Sequence, residues 1–196
     1  MRILIDLDSI IVDLLPTWLG LYNAEYDDDL AISDIHSWDT HLFTKVECDT
    51  KVYEYLRRPG LFRNLPPIPG AIEGVRALVE QGHEIYVVTA APDGSATEKI
   101  EWVKEHLPFL GHKRVVICYH KQVVDGDVLI DDGPHNLTNW RAAHPNGRTV
   151  SIKYPYNRDT KVDYVAGSYL DTKSAWRNIG MYGRMLHKIF SRPGSY

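Results

Sequence analysis

Four short apolar runs, Ile3–Leu7, Glu84–Thr89, Arg114–Tyr119 and Val128–Ile130, alternate with stretches of helical periodicity, and this alternation constrains the fold more than any other feature. Short, nearly unbroken apolar runs belong to strands covered on both faces, the usual condition of a parallel sheet. A fifth, weaker run covers Thr149–Lys153. Ile72, Val75, Leu78 and Val79 recur at helical spacing after Pro69-Gly70, and Ala96, Ile100, Val103 and Leu107 do so after the turn Pro92-Asp93-Gly94. The expected fold is therefore α/β, a doubly wound parallel sheet. Near the chain end, Trp176, Ile179, Leu186 and Phe190 predict a helix over Ser174 to Phe190 that closes the core, followed by a loose tail through Arg192-Pro193-Gly194. The basic residues Arg177, Arg184 and Lys188 are expected on the outer side of that helix rather than at a membrane.

The interval from Asp8 to Thr89 is too long for one crossover, which needs a dozen or so residues and usually a helix. Residues 17–64 are read as an inserted small helical cap after the first strand, with 1–16 and 65–196 forming the core. The insertion is rich in aromatics, among them Trp18, Tyr22, Trp38, Phe43, Tyr53 and Tyr55. Most are expected to fill the cap's own core. Its acidic run Asp27-Asp28-Asp29 reads as a solvated turn.

Composition narrows the partners. The formal net charge is −4, so no broad basic field favours a nucleic acid polymer or an anionic membrane. No apolar run approaches the ~18 residues of a membrane span. The two cysteines, Cys48 and Cys118, form no CxxC pair, which argues against zinc and redox motifs. The start, Met-Arg followed by a strand pattern, does not resemble a signal peptide, and the cytoplasm is the expected compartment.

The strand ends carry the chemistry. Ligands of open α/β sheets bind outside the carboxyl ends of the strands. The first run ends in Asp6-Leu7-Asp8, the second in Thr89-Ala90, the third is followed by Lys121, and the fourth ends in Asp131-Asp132. Asp6 and Asp8 share one side of a strand. At an effective dielectric of 20, two such charges 4 Å apart cost about 4 kcal/mol. A bound cation, a raised pKa or exposure to water must offset that cost. Oxygen ligands without His or Cys favour Mg²⁺ over zinc. Lys121 adds a positive point charge, and Thr89 a hydroxyl for a phosphate oxygen. His36, His41, His120 and His135 lie near these motifs, but no spacing marks them as ligands.

This set resembles the signature of the haloacid dehalogenase (HAD) superfamily: Asp-x-Asp, then Thr, then Lys, then an acidic pair. Closer still, it is similar to the 5′(3′)-deoxyribonucleotidase family. The resemblance extends to Leu65-Pro66-Pro67-Ile68-Pro69-Gly70-Ala71, to Glu98-Lys99-Ile100-Glu101-Trp102-Val103, to the 11-residue step from Lys121 to Asp132, and to Trp176-Arg177. It implies a HAD-like, Rossmannoid core and a Mg²⁺-dependent phosphomonoesterase that hydrolyses (deoxy)ribonucleoside 5′- or 3′-monophosphates through an aspartyl phosphate. Asp6 would be the nucleophile and Asp8 the proton donor and acceptor. Mg²⁺ would be held by the carboxylates of Asp6 and Asp132 and the backbone carbonyl of Asp8, with Asp131 in support. Thr89, Ala90 and Lys121 would hold the phosphoryl group. A homodimer is a further implication.

Two positions depart from the family pattern. Ser9 stands where the family usually has Gly, so the turn after the first strand must accept a side chain. Ala90 stands where Ser is common, so one hydroxyl donor to phosphate is missing. Base recognition falls to the cap, where Trp38 and Phe43 are the candidates to stack on a nucleobase, with Tyr53 or Tyr55 behind them. The family's pocket aromatic corresponds here to Leu14. The alternatives are a HAD phosphatase for another small phosphate ester and a non-catalytic HAD-like binding protein. A receiver domain would carry its acceptor Asp after the third strand and lack a cap.

Overall fold

The computed structural model describes residues 1–190, with side chains omitted at His112 and from 187 onward. The tail through Arg192-Pro193-Gly194 and the side chains of Lys188 and Phe190 lie outside the described residues. Six strands form one parallel sheet in the order β3-β2-β1-β4-β5-β6. They are β1 Arg2–Ile5, β2 Glu84–Thr89, β3 Val115–Ile117, β4 Val128–Ile130, β5 Arg148–Lys153 and β6 Tyr164–Ser168. The helices are α1 Leu14–Tyr26, α2 Ala71–Glu80, α3 Ala96–His106, α4 Pro134–Ala143 and α5 Thr172–Phe190.

Both sheet faces are covered, as the unbroken apolar runs require. Ile3, Ile5, Ile85 and Val87 share one core with Val75 and Leu78 of α2, Trp102 and Val103 of α3, and Trp176 and Ile179 of α5. Leu4, Val88 and Leu129 point the other way and pack on Trp140 of α4. The chain thus crosses on one face through β1, β2 and β3, then returns past β1 to β4. The strand order reverses between β1 and β4, where a doubly wound sheet opens a crevice at its carboxyl end.

Three features differ from the sequence expectation. The third strand is shorter than Arg114–Tyr119, because Arg114 lies in a 3-10 turn and the ladder ends at Ile117. A sixth strand extends the sheet, paired with β5 through an irregular register at Ser151/Ile152. It was hidden by its edge position, with Gly167 inside it and Val165 48% exposed. On α3 and just after it, Val103 and Leu107 are buried as expected, but Ala96 and Ile100 are half-buried and Lys99 and Trp102 complete the buried side.

Residues after Tyr26 and before α2 form short 3-10 turns, at Ile32–Asp34, Thr40–Phe43, Asp49–Arg57 and Phe62–Asn64. Their apolar side chains Ile35, Val52, Tyr55 and Phe62 join the sheet's main core. The outgoing and returning chains are tied together: Asp13 donates to the Pro66 carbonyl at 2.9 Å, and Ile68 to that of Ile11 at 2.7 Å. The turn that precedes them explains the Ser9 position. Ser9 has φ 57°, the left-handed region where Gly is usual, and its amide donates to the Val12 carbonyl at 2.9 Å. Such a conformation costs a non-Gly residue on the order of 1 kcal/mol.

Candidate active site

β1 and β4 deliver four carboxylates to the crevice. The ladder continues one residue past β1, through the Asp6 amide to the Ile130 carbonyl at 2.9 Å, which holds the Asp6 backbone against β4. Its side chain is buried. Asp6 Oδ1 accepts from the Leu7 amide at 2.8 Å and lies 2.7 Å from Lys121 Nζ. Lys121 comes from the 3-10 turn after β3 and also donates to Asp131 Oδ2 at 2.6 Å. Burial works to lower the Lys121 pKa, but the carboxylates of Asp131 and Asp6 carry it above the ordinary lysine value.

The two members of the acidic pair are held differently. Asp131 Oδ1 accepts from the Gly133 amide at 2.8 Å and from Asn136 Nδ2 at 3.2 Å, so its carboxylate is held from both sides by the protein. Gly133 leaves room for this approach: a Cβ there would lie 3.1 Å from Asp131 Oδ1 and 2.9 Å from Asn136 Nδ2, so those side chains would have to shift. Asp132 accepts at Oδ2 from the Tyr156 hydroxyl at 2.5 Å. Burial pushes Asp131 up to about 6 against the pull of Lys121. Burial also pushes Asp132 well above the usual carboxylate range, helped by the charges of Asp131 and Asp6.

Asp8 pairs with a residue that the sequence did not single out. Lys99, fully buried on α3, forms an ion pair with Asp8 Oδ2. It also donates to Thr89 Oγ1 at 3.1 Å and to the Ala90 carbonyl at 2.6 Å, and its ammonium stands 4.2 Å from the centre of the Phe62 ring. Burial raises the Asp8 pKa, while the Lys99 charge opposes that rise. Asp8 Oδ1 is buried and has no hydrogen-bond partner among the described residues. A signal for Lys99 existed: it sits three and four residues before Trp102 and Val103, on the apolar side of its helix.

A cavity of about 310 Å³ opens above these groups. Asp6, Asp8, Asp132 and Lys121 lie at its base, and Leu14, Leu15, Trp18, Trp38, Tyr53 and Phe62 form much of its apolar wall. Ala90 lines it as well, whereas Thr89 is buried behind, its hydroxyl engaged with Lys99 and the Ala90 carbonyl. Trp38 stands at the wall with its ring edge-on to His135 at 4.9 Å and to Tyr156 at 5.6 Å. Phe43 does not line the cavity; it meets His36 edge-on at 6.2 Å. Tyr55 is buried in the core. His135, which lines the cavity, has its pKa lowered by burial and then by Lys121.

The donor set fits a hard divalent cation. Asp6, Asp131 and Asp132 each offer an oxygen within 4.8 Å of the others. Counted as fully ionised, four carboxylates face two ammonium groups, Lys99 and Lys121, and the surplus of negative charge is one that a cation would offset. Without that ion the site would repel a phosphate; the carboxyl pKa values are raised first by burial and then by the neighbouring carboxylates.

Comparison with known proteins agrees with this geometry. Residues 1–177 match the family model described as 5′ nucleotidase, deoxy (pyrimidine), cytosolic type C protein (NT5C). The chain is 38% identical over 137 residues to a 5′(3′)-deoxyribonucleotidase of Clostridium acetobutylicum, covering 70% of this chain and 76% of that protein. It is 37% identical over 160 residues to a 5′(3′)-deoxyribonucleotidase of Bacillus subtilis, covering 80% and 87%. A HAD family hydrolase from Deinococcus radiodurans, solved with bound phosphate and sodium, shares the fold with a TM-score of 0.58 at 17% identity, over 92% of this chain and 96% of that one.

Proposed function

The chain belongs to the NT5C family of deoxy (pyrimidine) 5′ nucleotidases, which are HAD-type phosphatases, and from that premise we propose that it hydrolyses deoxyribonucleoside monophosphates with Mg²⁺ through phosphorylated Asp6. The observation that carries the reading is the buried carboxylate and ammonium cluster beneath an apolar cavity. Among the described residues, Lys121 is the one lysine or arginine lining that cavity, which suits a single phosphate rather than a chain of them. The 5′(3′)-deoxyribonucleotidases of Clostridium acetobutylicum and Bacillus subtilis that this chain resembles point the same way.

Asp6 is the nucleophile. Its Oδ1 is held by the Leu7 amide and Lys121, which directs the other oxygen, Oδ2, at phosphorus. As the Asp6 O–P bond forms, the ester P–O bond breaks, and Asp8 gives its proton to the departing sugar oxygen. In the second half Asp8 takes a proton from water, the water oxygen bonds to phosphorus, and the Asp6 O–P bond breaks to release phosphate. The unpartnered Asp8 Oδ1 is the oxygen available for that proton. Lys121 and the backbone at Ala90 hold the phosphoryl oxygens, and Thr89 contributes its hydroxyl once it turns from the Ala90 carbonyl. The carboxylates of Asp6 and Asp132 and the Asp8 carbonyl would hold Mg²⁺, which would supply positive charge between the carboxylates and the phosphoryl group. Asp131 supports the site by fixing Lys121. Residues 17–64 act as the cap, where Trp38 stacks on the base.

The test is a phosphatase panel at neutral pH with Mg²⁺ or EDTA. It includes deoxyribonucleoside and ribonucleoside 5′- and 3′-monophosphates, nucleoside diphosphates and sugar phosphates. Highest kcat/KM on a deoxyribonucleoside monophosphate, abolished by EDTA, is the expected result. Preference for a sugar phosphate, or undiminished turnover in EDTA, would overturn the proposal.

A further inference from the structure

The loop after β5 reaches both acidic strand ends at once. Tyr154 donates its hydroxyl to the Ser9 carbonyl at 2.8 Å, beside Asp8. Two residues on, Tyr156 donates to Asp132 Oδ2 at 2.5 Å. Asn157 Nδ2 donates to the Asp132 carbonyl at 2.9 Å, and its Oδ1 accepts from the Tyr154 amide at 2.9 Å. The rings of Tyr154 and Tyr156 stack with centroids 5.2 Å apart and planes 13° from parallel. The loop is thus braced internally while it holds the turn after β1 and the turn after β4.

The contrast within the acidic pair gives this brace its meaning. Asp131 has three donors on its carboxylate, from Lys121, Gly133 and Asn136. Among the described residues, the Asp132 carboxylate accepts its hydrogen bond from Tyr156. Asn157 fixes the Asp132 backbone, so the remaining freedom is rotation of the carboxyl group, and the Tyr156 hydroxyl restrains that rotation. Tyr156 also meets Trp38, which ties the same restraint to the cavity wall.

We propose that Tyr156 is a positioning residue for the cation: by holding one oxygen of Asp132, it aims the carboxylate at the ion shared with Asp6. The proposal rests on the reading of Asp132 as a metal ligand. A ligand oriented by a hydrogen bond in this way binds without first losing rotational freedom. Loss of such an outer partner typically weakens metal affinity by about 10–100-fold.

The experiment measures Mn²⁺ binding to the full chain by loss of the free-ion EPR signal, with no substrate present. Wild type, Tyr156→Phe and Asp132→Asn are compared. Phe keeps the ring stack and removes only the hydroxyl, and circular dichroism checks that each variant is folded. Should Tyr156→Phe nevertheless unfold, Tyr156→His, which retains a ring donor, replaces it and must bind Mn²⁺ more tightly than Tyr156→Leu. The expected result is at least about tenfold weaker Mn²⁺ binding in Tyr156→Phe, little binding in Asp132→Asn, and a matching rise in the Mg²⁺ concentration needed for half-maximal turnover of Tyr156→Phe. Wild-type Mn²⁺ affinity in Tyr156→Phe, with binding lost in Asp132→Asn, overturns the inference and leaves the metal assignment standing. Wild-type affinity in Asp132→Asn overturns both.

Discussion

Replacing Lys99 with Met removes one charge from the centre of the protein and keeps most of the side-chain volume. The aliphatic stem continues to fill the space beside Phe62, so the loss is chiefly electrostatic. What disappears is the ion pair with Asp8 and the hydrogen bonds to Thr89 Oγ1 and the Ala90 carbonyl. Breaking a buried pair by removing one partner costs about 3–5 kcal/mol, because the other charge is left uncompensated. That range already contains the hydrogen bonds and is not increased for them. At a urea slope of about 2 kcal/mol per M, the denaturation midpoint falls by about 1.5–2.5 M at neutral pH. Asp8 has a partial escape through protonation. Its folded pKa is already raised by burial against the pull of Lys99, and removal of Lys99 raises it further. A carboxyl with a raised folded pKa binds more protons folded than unfolded, so its contribution to stability falls as pH rises from the unfolded pKa through the folded one. The cost of Lys99→Met is therefore largest at neutral pH and shrinks toward about pH 4. Urea denaturation of both proteins in EDTA, across that pH range, measures it. A destabilisation below about 1 kcal/mol at neutral pH, or one that does not change with pH, would refute the account of the Asp8–Lys99 pair.

Two further outcomes follow from the same electrostatics and from the cavity wall. Burial holds the Asp132 pKa well above its unfolded value, so ionising it costs the metal-free fold stability as pH rises past about 4. Asp132→Asn is expected to melt higher than wild type at neutral pH in EDTA, with the gap closing toward pH 4, and to gain nothing from added Mg²⁺; a lower melting point at neutral pH contradicts this. Trp38→Ala is expected to raise KM for a deoxynucleotide by about tenfold, in line with a stacking contribution of about 1–3 kcal/mol per base. Hydrolysis of p-nitrophenyl phosphate, which has no nucleobase, should change much less, and an equal effect on both substrates removes Trp38 from base recognition.

The parts of the site that were legible in the sequence share a physical cause. Asp6, Asp8, Thr89, Lys121, Asp131 and Asp132 stand at or just beyond the ends of apolar runs, and parallel sheets gather those ends at one edge. Lys99 escaped because polar residues in helices are read as solvent-facing, although the spacing to Trp102 and Val103 marked its side of α3 as buried. Tyr156 escaped because it follows the fifth strand, whose weaker apolar run drew no attention to its exit. The segment over residues 17–64 was legible as an excess of chain length after β1 but not in its detail. Its 3-10 turns carry no sustained period, so nothing distinguished Trp38, which lines the cavity, from Phe43, which does not. Ser9 was visible as a departure at a Gly position, and its φ of 57° gives that departure a physical meaning.

The central claim is that Asp6 carries the phosphoryl group between two half-reactions. Rapid acid quench during turnover of a phosphate-radiolabelled deoxynucleotide with Mg²⁺, followed by peptide mapping, tests it directly. The account predicts label on the peptide containing Asp6 in the wild-type protein, and neither label nor turnover in Asp6→Asn. Full-rate phosphate release with no protein-bound label, or substantial turnover by Asp6→Asn, would contradict it.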